Sequence, residues 1–589
     1  MNILKYKLAK IISKALDIEI TPNDFALPPS ETMGDLSLPC FELAKKLKKN
    51  PKEAAEEIVQ RLEGQNIVLS GQIDKIETAG PFVNFFVSAK YLAENVFAKN
   101  FGKIKSAREK IMIEYATPNT HKIFHIGHLR NTITGESLAR VLENVGSKVI
   151  RANYQGDVGL HIAKALYGID RLKKEYAEAK KKNLTEKIEF LSRAYVLGAE
   201  AHENDRPSQE LRPAGESARE QIYGFNKKIY DGDKTIRDIY KTTRKWSLEY
   251  FDKIYKRLGT RFNRFYFESE TFADGKKIVE KFLEKGVFKK SQGAVIFEGE
   301  KHGLHNRVFI TSDGFPTYEA KDLALAKMQF KEYRPDKIFH IVSKEQTEYF
   351  KVLFKALEFT LPKSIGKEFH LPYGWITLKS GKMSSRTGQV VAGEWLLNEI
   401  EKRVAEIMME IKFKAQNSKP KKEDEREIVE KVALSAVKYS MLKIGIGVDM
   451  VFDFQESVSL SGDSGPYLLY ICARIKSILE KLKTQSSKHK INLKLKVQNF
   501  KINSIEKALL IKLNNFTEAE TEAAAEMDPS KVAKYLFELA QCFNTFYQEC
   551  PILKAEDEVQ TFRVELIKSV RKTMEKGLDL LGIEIVDKM

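Results

Sequence analysis

The sequence PNTHKIFHIGHLR, residues 118–130, joins an apolar run, IMIEY (111–115), to a segment with helical periodicity. The apolar run predicts a short buried strand. Apolar residues in the following segment recur on one helical face as far as Gly146, where a glycine is well suited to end the helix. His125 and His128 are therefore predicted to lie between the first strand of a βαβ unit and its helix.

This position of the two histidines favours a phosphate ligand. Backbone N–H groups and the positive end of the helix dipole point at whatever binds in front of a helix. Two imidazoles add donors that can follow the charge growing on a transferred phosphoryl group. Gly127 lies between the two histidines, and its missing side chain lets a flat ring lie against the backbone.

Composition indicates a multidomain globular protein with a polyanionic partner. The chain has 589 residues, of which 43% are hydrophobic and 30% charged, so two to four domains are expected. A net charge of +17, from 98 basic and 81 acidic residues, favours nucleic acid as that partner. A lysine-rich proteome is the alternative reading of the charge alone.

Cysteine content and the N-terminus favour a cytoplasmic protein. The four cysteines are scattered and form no CxxC pair, so we expect no zinc site and a reducing compartment. The first residues, MNILKYKLAKIISKAL, have the pattern of an amphipathic helix rather than a signal peptide. No apolar run approaches the roughly 20 residues that span a bilayer, so no membrane contact is expected.

The pattern along the chain predicts three domains. Residues 1–105 form a small α+β domain, and residues 106–415 alternate strand and helix as an α/β domain does. A charged helical insertion interrupts the α/β domain at about 170–256. The polar segment QNSKPKKEDER marks the next boundary, and residues 416–589 are predicted to be nearly all helical.

A second chemical element, KMSSR, follows the strand-like GWITL and has glycines on both sides. Such glycines predict a mobile loop whose lysine, serines and arginine can fold over a triphosphate. A basic surface turn is the alternative for this segment alone. A phosphate site at a helix start together with a flexible basic loop is a much rarer coincidence.

With both elements in view, the sequence resembles the class I aminoacyl-tRNA synthetases, which carry HIGH and KMSKS signatures. PNxxKxFHIGHLRxTxxGxxLAR, followed by RxNYxGDxG, is more specifically similar to arginyl-tRNA synthetase. GDLSLPCFELAK and AGPFVNFF resemble that family's N-terminal additional domain, which contacts the tRNA elbow. SGDSGPYLLYICARIKSIL resembles its helical anticodon-binding domain. The resemblance thus covers nearly the whole chain and implies a Rossmann-like catalytic domain with a parallel sheet.

The resemblance implies the reaction and its partners. L-arginine would react with ATP to give arginyl-adenylate and pyrophosphate, and arginine would then pass to the 3′-terminal ribose of tRNA(Arg). ATP would bind with Mg²⁺, without zinc, a covalent cofactor or any protein-bound metal. A monomer is expected.

The same resemblance assigns residues to each role. Catalysis is assigned to His125, His128, Lys122, Lys382, Ser384, Ser385 and Arg386. ATP binding is assigned to His125, Gly127, His128, Lys382 and Met383. Arginine binding is assigned to Glu114, Asn119, His125, Tyr318, Asp322 and Gln346. Contacts to tRNA are assigned to Phe82, Asn84, Tyr467, Tyr470 and Arg474.

The chain departs from the family pattern in two places. The KMSKS signature ends in lysine, where this chain has Arg386; Lys122, just ahead of HIGH, matches a lysine thought to supply the missing charge in such members. A planar guanidinium does not replace a compact ammonium without consequence. In GDVGLH, Val158 and His161 occupy positions where the family commonly has Trp and Gln.

Spacing alone leaves alternatives open for the binding residues. Tyr318 and Asp322 are four residues apart and share a helix face, but a surface hydrogen bond would explain that pair equally. Tyr467, Tyr470 and Arg474 also share a face, where rings and a guanidinium suit unpaired bases. A core stripe is the competing account for them, as it is for the phenylalanines of the N-terminal strand.

Two other functions remain as alternatives, and a third can be set aside. A cysteine-specific class I synthetase would need a zinc site, against which the scattered cysteines argue. A non-catalytic tRNA-binding paralogue would carry degenerate signatures, whereas both are preserved here. A dinucleotide-binding Rossmann domain is set aside because no GxGxxG follows the first strand of the α/β region.

Overall fold

The computed structural model describes residues 1–64, 71–99, 101–104, 108–204, 217–379, 391–415, 422–485 and 501–588. The strands are β1 (Leu36–Pro39), β2 (Ile73–Ala79), β3 (Phe82–Val87), β4 (Lys110–Glu114), β5 (Lys148–Gln155), β6 (Arg264–Phe267), β7 (Lys289–Ser291), β8 (Ala294–Phe297), β9 (Arg307–Ile310), β10 (Lys337–Ser343), β11 (Glu368–Tyr373), β12 (Ile376–Leu378) and β13 (Met450–Phe452).

The helices are α1 (Asn2–Leu16), α2 (Phe41–Leu47), α3 (Pro51–Gly64), α4 (Ala89–Val96), α5 (Ile126–Asn144), α6 (Leu160–Arg171), α7 (Lys173–Ala179), α8 (Leu184–Asn204), α9 (Ala218–Asp231), α10 (Lys234–Leu258), α11 (Glu268–Glu284), α12 (Tyr318–Glu332), α13 (Thr347–Thr360), α14 (Gly393–Ala415), α15 (Lys422–Leu442), α16 (Phe454–Ser457), α17 (Gly465–Gln485), α18 (Ser504–Asn514), α19 (Phe516–Ala525), α20 (Ser530–Glu549) and α21 (Asp557–Leu580).

Contacts divide these elements into two units. The first contains Met1–Lys105, Lys422–Ser435 and Ser459–Met589, and the second contains Ser106–Lys421 and Ala436–Val458. In the first unit the N-terminus meets the C-terminal helices: the Met1 ammonium donates to the carbonyl of Asn514 at 2.7 Å. A three-stranded antiparallel sheet, in the order β1-β3-β2, lies in this unit beside the C-terminal helices.

The second unit is built on a parallel sheet of five strands in the order β11-β10-β4-β5-β6. Buried residues of four strands and of α12 form its core on one face: Met112, Ile150, Ala152, Tyr266, Leu325, Phe330 and Ile338. The predicted α/β fold with a parallel sheet is therefore confirmed. Because β4 is the central strand, the segment that follows it lies at the middle of one edge of the sheet, where the strands end.

The first strand of this sheet and the helix that follows it pack so closely that the helix needs a residue without a side chain at the contact. Gly135 of α5 faces Tyr115, and a Cβ on this glycine would overlap the tyrosine ring. Tyr115 is fully buried and hydrogen-bonds Glu136 at 3.0 Å. This contact fixes the start of α5 relative to the end of β4, and so fixes the segment that carries the two histidines.

Some local predictions differ from the structure. Helices α6–α10 occupy the region of the expected insertion, with α6 beginning ahead of the expected start. The strand that carries the N-terminal phenylalanines is β3, which forms a hairpin with β2. The nearly all-helical pattern after residue 426 contains β13, which pairs in parallel with β12. Within the described ranges, no helix is both long and apolar enough to cross a membrane.

Candidate active site

The two histidines form a reciprocal cap at the start of α5. His125 is the N-cap residue in an extended conformation, and its Nδ1 accepts the backbone N–H of His128 at 3.3 Å. The backbone N–H of His125 in turn donates to Nδ1 of His128 at 3.3 Å. The rings stack with centroids 3.6 Å apart. Since each Nδ1 accepts a hydrogen bond, the proton of each neutral ring lies on Nε2.

Both imidazoles are held neutral by their surroundings. Burial, followed by the nearby charge of Lys122, lowers the pKa of His125 to about 4. Burial, His125 and Lys122 together lower the pKa of His128 well below its ordinary value. Lys122 itself lies with its Nζ 5.0 Å from the ring centroid of Tyr195 in α8. The helix mouth therefore presents neutral N–H donors in a positive potential, which suits an anionic ligand.

Gly127 also makes room for the stacked pair of histidines. A Cβ at this position would lie 3.0 Å from Cε1 and from Nδ1 of His125. The ring that lies against the bare backbone is therefore the imidazole of His125 itself. Glycine at this position permits the stacked pair to form.

The flanks of the KMSSR segment are bound to the helix mouth. The segment lies outside the described residues, as do the residues assigned within it, Lys382, Met383, Ser384, Ser385 and Arg386. Beyond it, the carbonyl of Val391 accepts from Ile126 N at 2.9 Å, and Gly393 N donates to the carbonyl of Phe124 at 2.7 Å. His125 and Ala392 form an antiparallel bridge.

Arg130 of α5 hydrogen-bonds the part of the chain that precedes the KMSSR segment. Its buried guanidinium donates to the carbonyls of Gly374 at 2.6 Å and Trp375 at 2.9 Å, directly ahead of β12. A third hydrogen bond reaches the carbonyl of Val448 at 2.8 Å. Both ends of the segment that contains KMSSR are therefore fixed to the helix that carries HIGH.

Two of the residues assigned to arginine are carboxylates held by interior partners: Glu114 is buried and Asp322 is half-buried. Glu114, at the carboxyl end of β4, accepts from Gln329 Nε2 at 2.6 Å and lies 2.9 Å from Nδ1 of His340. Asp322, on α12, accepts from the hydroxyl of Tyr349 at 2.6 Å. These three partners were not predicted from the sequence. Glutamine, histidine and tyrosine in apolar stretches carry no local signal of the group that they contact.

The two carboxylates repel one another electrostatically. Burial raises the pKa of Asp322 to about 8; its hydrogen bond from Tyr349 opposes the shift and the charge of Glu114 adds to it. The charge of Asp322 also contributes, after burial, to raising the pKa of Tyr154. A cationic ligand stabilises the ionised form of a carboxyl group that is otherwise difficult to ionise. A planar guanidinium can bind carboxylates in a paired geometry.

The other residues assigned to arginine lie in different environments. Tyr318 begins α12, one turn from Asp322 as predicted, and is 52% exposed with Nζ of Lys321 4.9 Å from its ring centroid. Asn119 lies against Gly156, where a Cβ would overlap its Oδ1. Gln346 is exposed and ends the 3₁₀ turn ahead of α13.

The unusual GDVGLH segment forms a buried polar wall. Val158 is buried, and Nε2 of His161 lies 3.4 Å from the carbonyl of Gly156. Nδ1 of His161 is buried without a hydrogen-bond partner among the described residues. Burial, with Lys122 and Lys321 nearby, lowers the pKa of His161 well below its ordinary value. A neutral imidazole thus occupies the position where the family commonly has a glutamine amide.

The first unit brings together the aromatic residues assigned to tRNA on α17. Tyr467 is buried and accepts from Asn544 Nδ2 at 2.6 Å, while Arg474 donates to Asn544 Oδ1 at 3.2 Å. The Arg474 guanidinium also donates to the hydroxyl of Tyr470 and lies 5.2 Å from the ring centroid of Tyr547. The predicted shared face is present. Asn544 and Tyr547 of α20 belong to the same cluster and were missed, although their spacing of three residues in FNTFY was visible.

The assigned N-terminal pair lies on β3. Phe82 is half-buried, with its ring edge-on to Phe41 at a centroid distance of 5.6 Å, and Phe41 is exposed. Asn84 is buried, and its Oδ1 has no hydrogen-bond partner within the described ranges. A half-buried aromatic ring and a buried amide therefore occupy nearby positions on one strand.

A parallel sheet with paired histidines at the start of the helix that follows its central strand is the arrangement of a class I aminoacyl-tRNA synthetase catalytic domain. Comparison with protein families agrees. Residues 92–454 match the catalytic domain of class I tRNA synthetases (R), residues 2–87 match the arginyl-tRNA synthetase N-terminal domain, and residues 468–589 match the DALR anticodon-binding domain.

Individual relatives extend the match over the whole chain. The arginine–tRNA ligase of Treponema denticola is 33% identical over 98% of this chain and 96% of its own length. That of Clostridium acetobutylicum is 31% identical over 100% of this chain and 99% of its own. The structure of Thermus thermophilus arginyl-tRNA synthetase superimposes with a TM-score of 0.79 at 25% identity, with both chains covered completely. The chain belongs to the arginyl-tRNA synthetase family.

Proposed function

We propose that this chain ligates arginine to tRNA(Arg), with activation at the mouth of α5 and arginine selection in the carboxylate pocket. The observation that carries the choice of amino acid is the pair of carboxylates, Glu114 and Asp322. Burial, with the charge of Glu114 adding to it, raises the pKa of Asp322 to about 8, and a guanidinium would stabilise its ionised form. A neutral or acidic side chain would leave the carboxyl of Asp322 without a cationic partner, so the pocket favours arginine on physical grounds.

Activation joins a carboxylate oxygen of arginine to the α-phosphorus of ATP and breaks the bond to pyrophosphate. The Nε2–H groups of His125 and His128, with the ammonium of Lys122, would bind the phosphate oxygens as charge moves onto the leaving group. In this proposal Lys382, Ser384, Ser385 and Arg386 hold the departing pyrophosphate; Gly127 and Met383 line the nucleotide.

Mg²⁺ would be bound by the phosphate oxygens of ATP rather than by protein side chains. The histidines and Lys122 give the helix mouth a positive potential, which does not suit a bare divalent cation. The oxygens of ATP can supply its ligands, and the ion would neutralise phosphate charge there.

Arginine selection divides between the pocket and its rim. Asp322 and Glu114 would accept the guanidinium, with the hydroxyl of Tyr318 beside them. Asn119, His125 and Gln346 would orient the amino and carboxylate groups. Planar, paired hydrogen bonds distinguish arginine from lysine, which carries the same charge but cannot donate in that geometry.

The first unit would hold the tRNA. We assign unpaired anticodon bases to the cluster of Tyr470, Arg474 and Tyr547, which joins exposed ring surface to a guanidinium. Phe82 and Asn84 would contact the tRNA elbow, and the chain would act as a monomer.

The direct test is to charge total tRNA with each labelled amino acid in turn. Arginine alone should be attached, and ATP–pyrophosphate exchange should require both arginine and tRNA. Asp322→Ala should lose charging, whereas Asp313→Ala, which changes an exposed carboxylate just ahead of the same helix, should retain it. Attachment of another amino acid, or no charging by the wild type, would overturn the proposal. Cysteine charging with stoichiometric zinc would identify the cysteine-specific alternative.

A further inference from the structure

One buried histidine lies between two carboxylates, one of which is Glu114, assigned to arginine binding. Nδ1 of His340 on β10 is 2.9 Å from Oε1 of Glu114 on β4, and Nε2 is 2.7 Å from Oε2 of Glu368 on β11. All three side chains are less than a tenth exposed. The strand order places β10 between the other two, so the three groups form a line across the sheet.

This geometry requires the charged form of the ring. A carboxylate can only accept hydrogen bonds, so a histidine that bonds two carboxylates must donate from both nitrogens. Burial opposes that charge, but the charges of Glu114 and Glu368 and their hydrogen bonds raise the pKa of His340 well above its ordinary value. The line is therefore an imidazolium flanked by two carboxylates.

The charged groups around His340 come from three elements. Glu114 faces it from β4, Glu368 and His370 from β11, and Asp322 acts on it electrostatically from α12. The rings contributed by α13, Phe350 and Phe354, are apolar and lie 5.3 and 6.0 Å from the imidazole centroid. His340 lowers the pKa of Asp322, in opposition to burial and to Glu114.

We propose that His340 is a positioning residue for arginine: it orients Glu114 and supplies the positive charge that lets Glu114 and Asp322 face one guanidinium together. Glu368 keeps the imidazole protonated from the far side. This inference rests on the proposed function, because it assigns a role at the arginine pocket. His340 does not itself touch the substrate, since both of its nitrogens are occupied by protein carboxylates.

The test measures arginine binding by titration calorimetry between pH 6 and 9, with citrulline as an uncharged ligand of nearly the same shape. His340→Gln should weaken arginine binding at pH 7 by about tenfold and move the pH midpoint of binding up by about one unit, since Asp322 then ionises less readily. Citrulline binding should change little. A general loss of packing would weaken both ligands alike and would leave the midpoint in place.

The matched control is His370→Gln. His370 pairs with His340 in the register of β10 and β11, but its Nε2 lies 3.1 Å from the carbonyl of Val342 rather than from a carboxylate. This variant should keep the wild-type pH profile. The inference would be overturned if His340→Gln and the wild type showed the same dependence of arginine affinity on pH.

Glu368→Gln decides the question if His340→Gln fails to fold. It retains an oxygen that accepts from the imidazole but lowers the pKa of His340, so arginine affinity should fall selectively at high pH. A curve that matches the wild type at every pH would also overturn the inference. Failure of the wild type to bind arginine at all would instead refute the proposed function on which the inference depends.

Discussion

The helix mouth and the arginine pocket are both buried, yet they hold their titratable groups in opposite ways. At the mouth, burial and Lys122 lower the pKa of His125 to about 4. In the pocket, burial and Glu114 raise the pKa of Asp322 to about 8. Burial favours the neutral form in each case, but the neighbouring charges differ in sign. The mouth therefore suits an anionic ligand and the carboxylates of the pocket suit a cationic one.

The largest effect is expected from Asp322→Asn in the pocket. Truncating one member of a buried charge pair costs roughly 3–5 kcal/mol, so kcat/KM for arginine should fall about a thousandfold. Steady-state charging assays would measure it, with Asp313→Asn as the exposed control. A loss of less than tenfold in kcat/KM for arginine would mean that Asp322 does not bind the guanidinium.

A smaller but still large loss is expected from His128→Ala at the mouth. Removing one preorganised donor from a transferring phosphoryl group costs about 10²–10³ in kcat. Arginine affinity should be unchanged, which separates the two regions in one pair of measurements. The control is His305→Ala, at an exposed histidine. Equal loss of arginine binding in His128→Ala would show that the regions are not independent.

The pH dependence should also differ between the two regions. In the proposed function arginine binds the carboxylate form of Asp322, so binding should release a proton below pH 8 and affinity should be lost as the pH falls. Between pH 7 and pH 8.5 affinity should rise roughly eightfold for a group with a pKa of about 8. Binding of a non-hydrolysable ATP analogue should stay level in this range, because His125 remains neutral throughout. Calorimetry in buffers of different ionisation enthalpy would measure the number of protons released when arginine binds.

The smallest effect is expected from Gly127→Ala. The new Cβ would lie 3.0 Å from the His125 ring, so the stacked pair must shift by a few tenths of an ångström and ATP affinity should fall several-fold. Gly224→Ala is the control, since the methyl group of an alanine there would meet no neighbouring side chain within 4 Å, and a helical alanine should stabilise by about 0.5–1 kcal/mol. An unchanged KM for ATP in Gly127→Ala would show that ring stacking is dispensable.

Several site features were predictable because they depend on neighbours along the chain. The strand, the turn with its histidines and α5 follow from periodicity within a few dozen residues. The face shared by Tyr318 and Asp322 follows from helical geometry, as does that of Tyr470 and Arg474. The partners of these residues were not predictable, because each comes from another element.

The sequence by itself determined where the turn with its two histidines would form and which helices would carry paired polar groups, since local periodicity and turn chemistry act over short distances. Only the tertiary structure decided that His340 would lie between Glu114 and Glu368 and that the flanks of KMSSR would be bonded to HIGH. The reason is physical: strands that are adjacent in a parallel sheet are brought together by crossover connections, and the sequence of one strand does not specify which side chain of the next it will meet.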